Sequence, residues 1–226
     1  MKENYCDYSS ILKKDPPVYD FCLYTPAFSI QTRDSDGWVD DNFYNMTKQS
    51  HNRVSKEMSD MNLERLEEFF RKTVPDGGLI MEIGVWRVPN SPFKTSTQLF
   101  LDLKTKNTQF VGVDIEPRPH VLSYTENVFM LQIDSANTKA IQGILEMQMK
   151  KPIDFLFIDG LHSVEQVKKE LALIPLVRKG GVIGFHDISF HAGPNLWMDA
   201  FDPEKFDIYK FRADDDWGIG FLVKKF

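Results

Sequence analysis

From Gly78 onward the chain alternates short apolar runs with amphipathic stretches, and this alternation constrains its fold more than any other feature. Runs over 79–85, 109–114, 128–133, 153–159 and 181–186 read as buried, parallel strands. Between them, 95–104, 138–149 and 163–177 read as helices, the last with Val164, Val167, Leu171 and Ile174 along one face. The final runs, 206–211 and 218–224, are separated by the polar link 212–216, which has no room for a crossover helix. They are expected to form an antiparallel hairpin. Ahead of the first strand, Leu63, Leu66, Phe69 and Phe70 recur at helical spacing behind Ser59 and Asp60, and the pattern stops at Pro75-Asp76-Gly77-Gly78. This predicts a helix over 60–73.

A chain of 226 residues with 42% hydrophobic content suits one α/β domain with some elaboration. The domain is expected over 60–226. Residues 1–59, rich in Tyr, Phe, Asp and Pro without a sustained period, read as an irregular arm with short helical pieces, its aromatics Phe21, Tyr24, Phe28 and Trp38 packing on the domain. The net charge is −6 and the lysine pairs are scattered, so they read as solvated surface and nucleic acid is not an expected partner. With no charged-then-apolar leader and no apolar run near the ~18 residues of a span, the expected location is cytoplasmic, away from membranes. Cys6 and Cys22 lack the spacing of a zinc site or disulfide framework and read as reduced structural thiols.

In an open parallel sheet a ligand sits outside the carboxyl ends of the strands. The first strand ends in Glu82-Ile83-Gly84, with a glycine that permits close backbone approach; the second ends in Asp114, a carboxylate suited to two ribose hydroxyls. The third ends in Asp134-Ser135, an acceptor and a hydroxyl at the level of an adenine edge. A lone Asp after a strand is more often a turn or helix cap than a ribose ligand, but three such signals in register favour a nucleoside. Neither GxGxxG nor GxxxxGK[ST] occurs, which counts against a dinucleotide or P-loop site.

The fourth and fifth strands end in Asp159-Gly160-Leu161-His162 and His186-Asp187. Neighbouring strands would bring Asp159 and Asp187 together, and two close carboxylates need a cation or a shared proton. Hard oxygen ligands suit Mg²⁺ or Mn²⁺, and His162 is placed to act as a general base. The competing reading makes the two acids helix or turn caps and the histidines core residues. His120 and His191 read as surface-loop residues.

The run Phe157-Ile158-Asp159-Gly160-Leu161-His162-Ser163-Val164-Glu165, followed by Lys179-Gly180-Gly181-Val182-Ile183-Gly184-Phe185-His186-Asp187-Ile188, resembles class I S-adenosylmethionine-dependent methyltransferases grouped with macrolide-sugar O-methyltransferases and cephalosporin hydroxylase-like proteins. The resemblance covers about 79–226. It implies a Rossmann-like α/β three-layer sandwich with a seven-stranded, mostly parallel sheet and an antiparallel last strand. It also implies S-adenosyl-L-methionine as cofactor, with Glu82 and Gly84 at its methionine part, Asp114 at the ribose, and Asp134 with Ser135 at the adenine. Asp159 and Asp187 match the metal-binding acids, His162 the proposed base, and His186 stands where a further ligand or supporting group belongs. The implied activity is divalent-metal-dependent O-methylation of a small hydroxylated acceptor such as a sugar or diol, with Asp159 and His162 catalytic. One departure is the stretch 85–92, longer than the family's glycine-rich turn and carrying two prolines. A cofactor-binding or hydroxylase-like protein without methyl transfer is the alternative, and a nicotinamide dehydrogenase fits the sheet but lacks the pyrophosphate loop. A homo-oligomer is compatible with the sequence, which leaves the acceptor unidentified.

Overall fold

A computed structural model describes residues 11–12, 32–34, 37–39, 58–87, 89, 92–189, 191–213 and 216–226. The sheet consists of β1 (Leu79–Ile83), β2 (Gln109–Asp114), β3 (Val128–Gln132), β4 (Ile153–Ile158), β5 (Val177–His186), β6 (Phe206–Ala213) and β7 (Asp216–Lys224). Their spatial order is β3-β2-β1-β4-β5-β7-β6. The first five strands are mutually parallel, whereas β7 runs antiparallel to both β5 and β6. Strand order reverses between β1 and β4, and there the carboxyl ends diverge and leave room for a ligand.

The helices are α1 (Asp60–Thr73), α2 (Ser96–Leu103), a short α3 (Pro119–Leu122), α4 (Thr138–Gln148), α5 (Val164–Glu170) and α6 (Ala192–Ala200). Two apolar clusters form the core. One includes Leu66 and Phe70 of α1, Leu99 and Phe100 of α2, and Phe110, Phe155, Phe157 and Phe221 of the sheet. The other joins Ile141, Val167 and Trp197 of α4, α5 and α6 to Met81, Val111, Leu156 and Ile183. β1 and β4 are buried along their whole length, as strands covered on both faces must be.

The α1 bounds agree with the sequence expectation, with Ser59 as N-cap accepting from Asn62 N. The stretch 163–177 departs from it: α5 stops at Glu170 and a 3₁₀ segment, Leu171–Leu176, follows. Pro175 lies inside that segment and supplies no N–H for an α-helical bond. β5 begins four residues earlier than expected, because Val177 pairs with Ile153 ahead of a register shift. The hairpin strands extend inward to Ala213 and Asp216. Nor is Lys224 solvated: it is buried, and its Nζ donates to the carbonyls of Ile174, Pro175 and Val177.

Within the expected arm, 32–34 and 37–39 pair as two short antiparallel strands. Buried Ile11 joins the core and Leu12 bridges to Phe201. Cys6, Cys22, Phe21, Tyr24 and Phe28 lie outside the described residues. No helix among the described residues is long and apolar enough to cross a membrane.

Candidate active site

The carboxyl ends of β4 and β5 bring Asp159, His162, His186 and Asp187 together, as expected. His186 Nδ1 donates to Asp159 Oδ1 at 3.2 Å and lies 3.2 Å from Asp187 Oδ1. On the other side, His162 Nε2 lies 3.4 Å from Asp159 Oδ1 and 3.2 Å from Asp187 Oδ2. It is within ion-pair reach of both acids but aligned for a hydrogen bond with neither. Asp187 has φ 61°, a left-handed conformation uncommon for a residue with a side chain, and this turns the chain sharply as it leaves the sheet.

His191 is a fifth member and corrects its assignment to a surface loop. It stands at the N-cap of α6, its backbone N donating to Asp187 O, with its Nε2 3.8 Å from Asp187 Oδ2 and its ring centroid 4.5 Å from that of His162. The spacing Asp187-x-x-x-His191, one helical turn beyond a strand-end acid, was the available signal. His120 is also no loop residue, since its Nε2 bonds the Trp86 carbonyl and so pins the turn after β1.

The electrostatics follow from burial and mixed charge. Burial pushes Asp159 up, but the charge of His186, its hydrogen bond and the neighbouring His162 outweigh it and hold the carboxyl well below its usual range. Asp187 is raised because its burial and the nearby Asp159 prevail over His186 and His162. Burial opposes charge on His186, yet Asp187 and Asp159 push it up to about 9; His162 is raised by the same acids against its own burial. His191 is driven well below its usual range by burial and by the two neighbouring imidazoles. The ring thus combines two acids with two imidazoles that favour charge, a balance that a cation would also supply.

A cleft opens beside Asp159, between the Gly84–Arg87 turn and Thr95–Ser96 at the start of α2. Gly84 has φ 78°, and a Cβ there would collide with the Asp159 carbonyl, so its glycine is already required by contact between the β1 and β4 ends. Glu82 lies below the cleft, fully buried, accepting from Ser96 Oγ and Thr97 Oγ1, each at 2.6 Å. Burial raises its carboxyl to about 8. It braces the start of α2 instead of lining the cleft.

Asp114 ends β2 beside the same turn. Its Oδ2 accepts from Val85 N and Arg118 Nε, and its Oδ1 from Glu116 N and Arg118 Nη2. Four donors match the roughly four lone-pair directions of a carboxylate, so a ribose diol bound there must displace one. Arg118, which the sequence did not single out, is the side chain able to yield. Asp134 is exposed and accepts from Ala136 N and Gln166 Nε2. Ser135 donates to Glu170 Oε1, away from solvent, and Glu170 is raised by burial to about 7. Asp134 and Ser135 therefore order the β3–α4 turn.

Residues 94–188 match a family model described as a methyltransferase domain. No curated protein matches this sequence. Among solved structures, the fold is similar to the MycE methyltransferase of mycinamycin biosynthesis, determined with Mg, SAH and mycinamycin VI, at 17% identity and TM-score 0.55. The match covers 80% of this chain and 54% of that one, so this chain spans about half the length of MycE. CalS11, a TDP-rhamnose 3'-O-methyltransferase of calicheamicin biosynthesis, aligns at 16% identity and TM-score 0.54 over 79% of this chain and 86% of its own. A putative rRNA methylase from Clostridium thermocellum aligns at 12% identity and TM-score 0.56, over 76% and 99%. At these identities the likeness is one of fold: a seven-stranded, mostly parallel, Rossmann-like sheet flanked by helices.

Proposed function

We propose that this chain, whose residues 94–188 match a methyltransferase-domain model, transfers a methyl group from S-adenosylmethionine to a hydroxyl of a small acceptor with the help of a divalent cation. The observation that carries the reading is the pairing of Asp159 and Asp187 among imidazoles at the switch point, beside the cleft above Gly84. MycE and CalS11, as their names state, act in mycinamycin biosynthesis and on TDP-rhamnose, which supports a sugar-like or diol acceptor.

The donor set fits a divalent cation. Two acids and an imidazole nitrogen converge, and the buried His162 Nε2 faces both acids without a hydrogen bond. When bound, the cation supplies positive charge that lowers the pKa of an acceptor hydroxyl, and the cofactor supplies an electrophilic methyl group. Asp159 and Asp187 hold the cation; with their charge taken up in this way they no longer favour a charged His162, and its neutral Nε2 takes the acceptor proton. Asp114 binds the ribose as Arg118 gives way, Asp134 faces the adenine, and the Gly84–Arg87 turn borders the methionine part. Most of the acceleration then comes from positioning the acceptor oxygen in line with the methyl group.

The test is calorimetry with S-adenosylhomocysteine, followed by turnover on a panel of sugars and catechols with and without chelator. Binding, chelator-sensitive turnover and recovery with added cation are expected. Asp114→Ala should weaken S-adenosylhomocysteine by roughly 2 to 4 kcal/mol. A folded wild-type protein that binds none of it would sink the reading.

A further inference from the structure

The side chains around Asp159 and Asp187 narrow the kind of cation the centre takes, an inference that rests on the metal-assisted reading above. Among the described residues, groups able to ligate a cation gather as Asp159, His186 and Asp187, and as His162, Asp187 and His191. Neither set is all oxygen. A cation seated against the acid pair therefore meets an imidazole nitrogen on either side.

The His186 side has the better geometry. Its Nδ1 lies 3.2 Å from an oxygen of each acid. Two donors each about 2.1 Å from one cation stand about 3.0 Å apart at right angles and about 3.4 Å apart at the tetrahedral angle. Both separations fall between these values, so a cation can replace the proton on Nδ1 with little movement of the side chains. Nor can His186 step aside, since it is 3% exposed and its backbone is paired with Ile219 of β7.

We propose that this is a transition-metal centre, in which Asp159, His186 Nδ1 and Asp187 seat Mn²⁺ or a later first-row ion in preference to Mg²⁺. Mg²⁺ favours oxygen ligands and sheds water reluctantly, whereas affinity for imidazole nitrogen rises from Mn²⁺ through Co²⁺. His186 sets the identity of the cation. His162, across the acid pair, keeps Nε2 for the acceptor proton.

The experiment titrates chelator-treated protein with MgCl₂, MnCl₂ and CoCl₂ by calorimetry and follows the visible absorption and paramagnetically shifted imidazole N–H signals of the Co²⁺ form. Wild type should bind one equivalent and bind Co²⁺ at least about 30-fold more tightly than Mg²⁺. His186→Glu, which makes the triad all oxygen, should narrow that ratio to below about 5-fold, and His186→Gln should weaken Co²⁺ at least about 10-fold with little change for Mg²⁺. His162→Ala should leave the ratio in place. Equal Mg²⁺ and Co²⁺ affinities in wild type overturn the proposal, as does a ratio that follows His162 or His191 instead of His186. If neither His186 variant folds, the wild-type series and a Co²⁺-shifted His186 signal decide it. Absence of any cation binding removes the proposal together with the metal half of the reading, and S-adenosylhomocysteine calorimetry on the same sample shows whether the methyl-donor half survives.

Discussion

Glu82 and Glu170 are carboxyls that burial keeps protonated, to about pH 8 and about pH 7. Against an unfolded value of 4.5, the folded chain binds more protons than the unfolded chain in between. Their contribution to stability is thus full below about pH 4.5 and is lost as pH rises through 7 and 8. The raised His186 adds a loss of the same sign toward pH 9. Melting temperature should fall by several degrees from pH 6 to 9, and Glu82→Gln should flatten the decline; an unchanged slope in that variant would clear Glu82 of the effect. At Asp187 the burden is geometric as well as electrostatic. Asn tolerates a positive φ and carries no charge, so Asp187→Asn should melt higher than wild type in chelator while losing cation binding, and a lower melting point would refute this. Asp159, His162, His186 and Asp187 were legible because each stands at or just beyond a strand end, where topology alone fixes its neighbours. His191, Arg118 and Glu170 were not, since their placement depends on how α6, the turn before α3, and α5 pack.

At the scale of elements, the site depends on α6 docking against the loop that carries His162. Gly193 N donates to His162 O, Trp197 Nε1 donates to Val164 O, and a Cβ on Gly193 would strike the His162 and Ser163 carbonyls. Gly193→Ala should therefore push that loop away, weakening cation binding at least about 10-fold for a stability loss of about 1 to 3 kcal/mol. Calorimetry and urea melts on one sample check both, and intact affinity would show that the loop can shift without disturbing the ring. Strands and α1 were readable because burial on both faces and capping leave plain patterns. The end of 163–177 was not, because its apolar positions suit an α-helix and a 3₁₀ segment alike until Pro175 decides between them.

The whole molecule carries a net charge of −6, which bears on whether it shares a substrate class with the rRNA-methylase-like fold it resembles. Phosphate neutralisation needs a concentrated basic face, so no saturable binding to a structured RNA is expected at about 150 mM salt. A gel-shift titration showing micromolar binding would reopen that class. The sheet also fixes where the chain enters the domain. Ser59 Oγ and Asn62 Nδ2 both donate to Asp216 at the start of β7, near the end of the strands where His186 closes β5. Ile11 and Leu12 are instead held at Phe201 and Asp202, beyond the far end of α6. Residues 13–57 thus connect the anchor at Phe201 and Asp202 to the entry point beside Asp216. In the terms of tethered ligands, the covalent link keeps the Ile11 anchor at a high effective concentration. Cutting the chain within 13–57 would turn that anchor into a separable peptide, retained only by its own affinity.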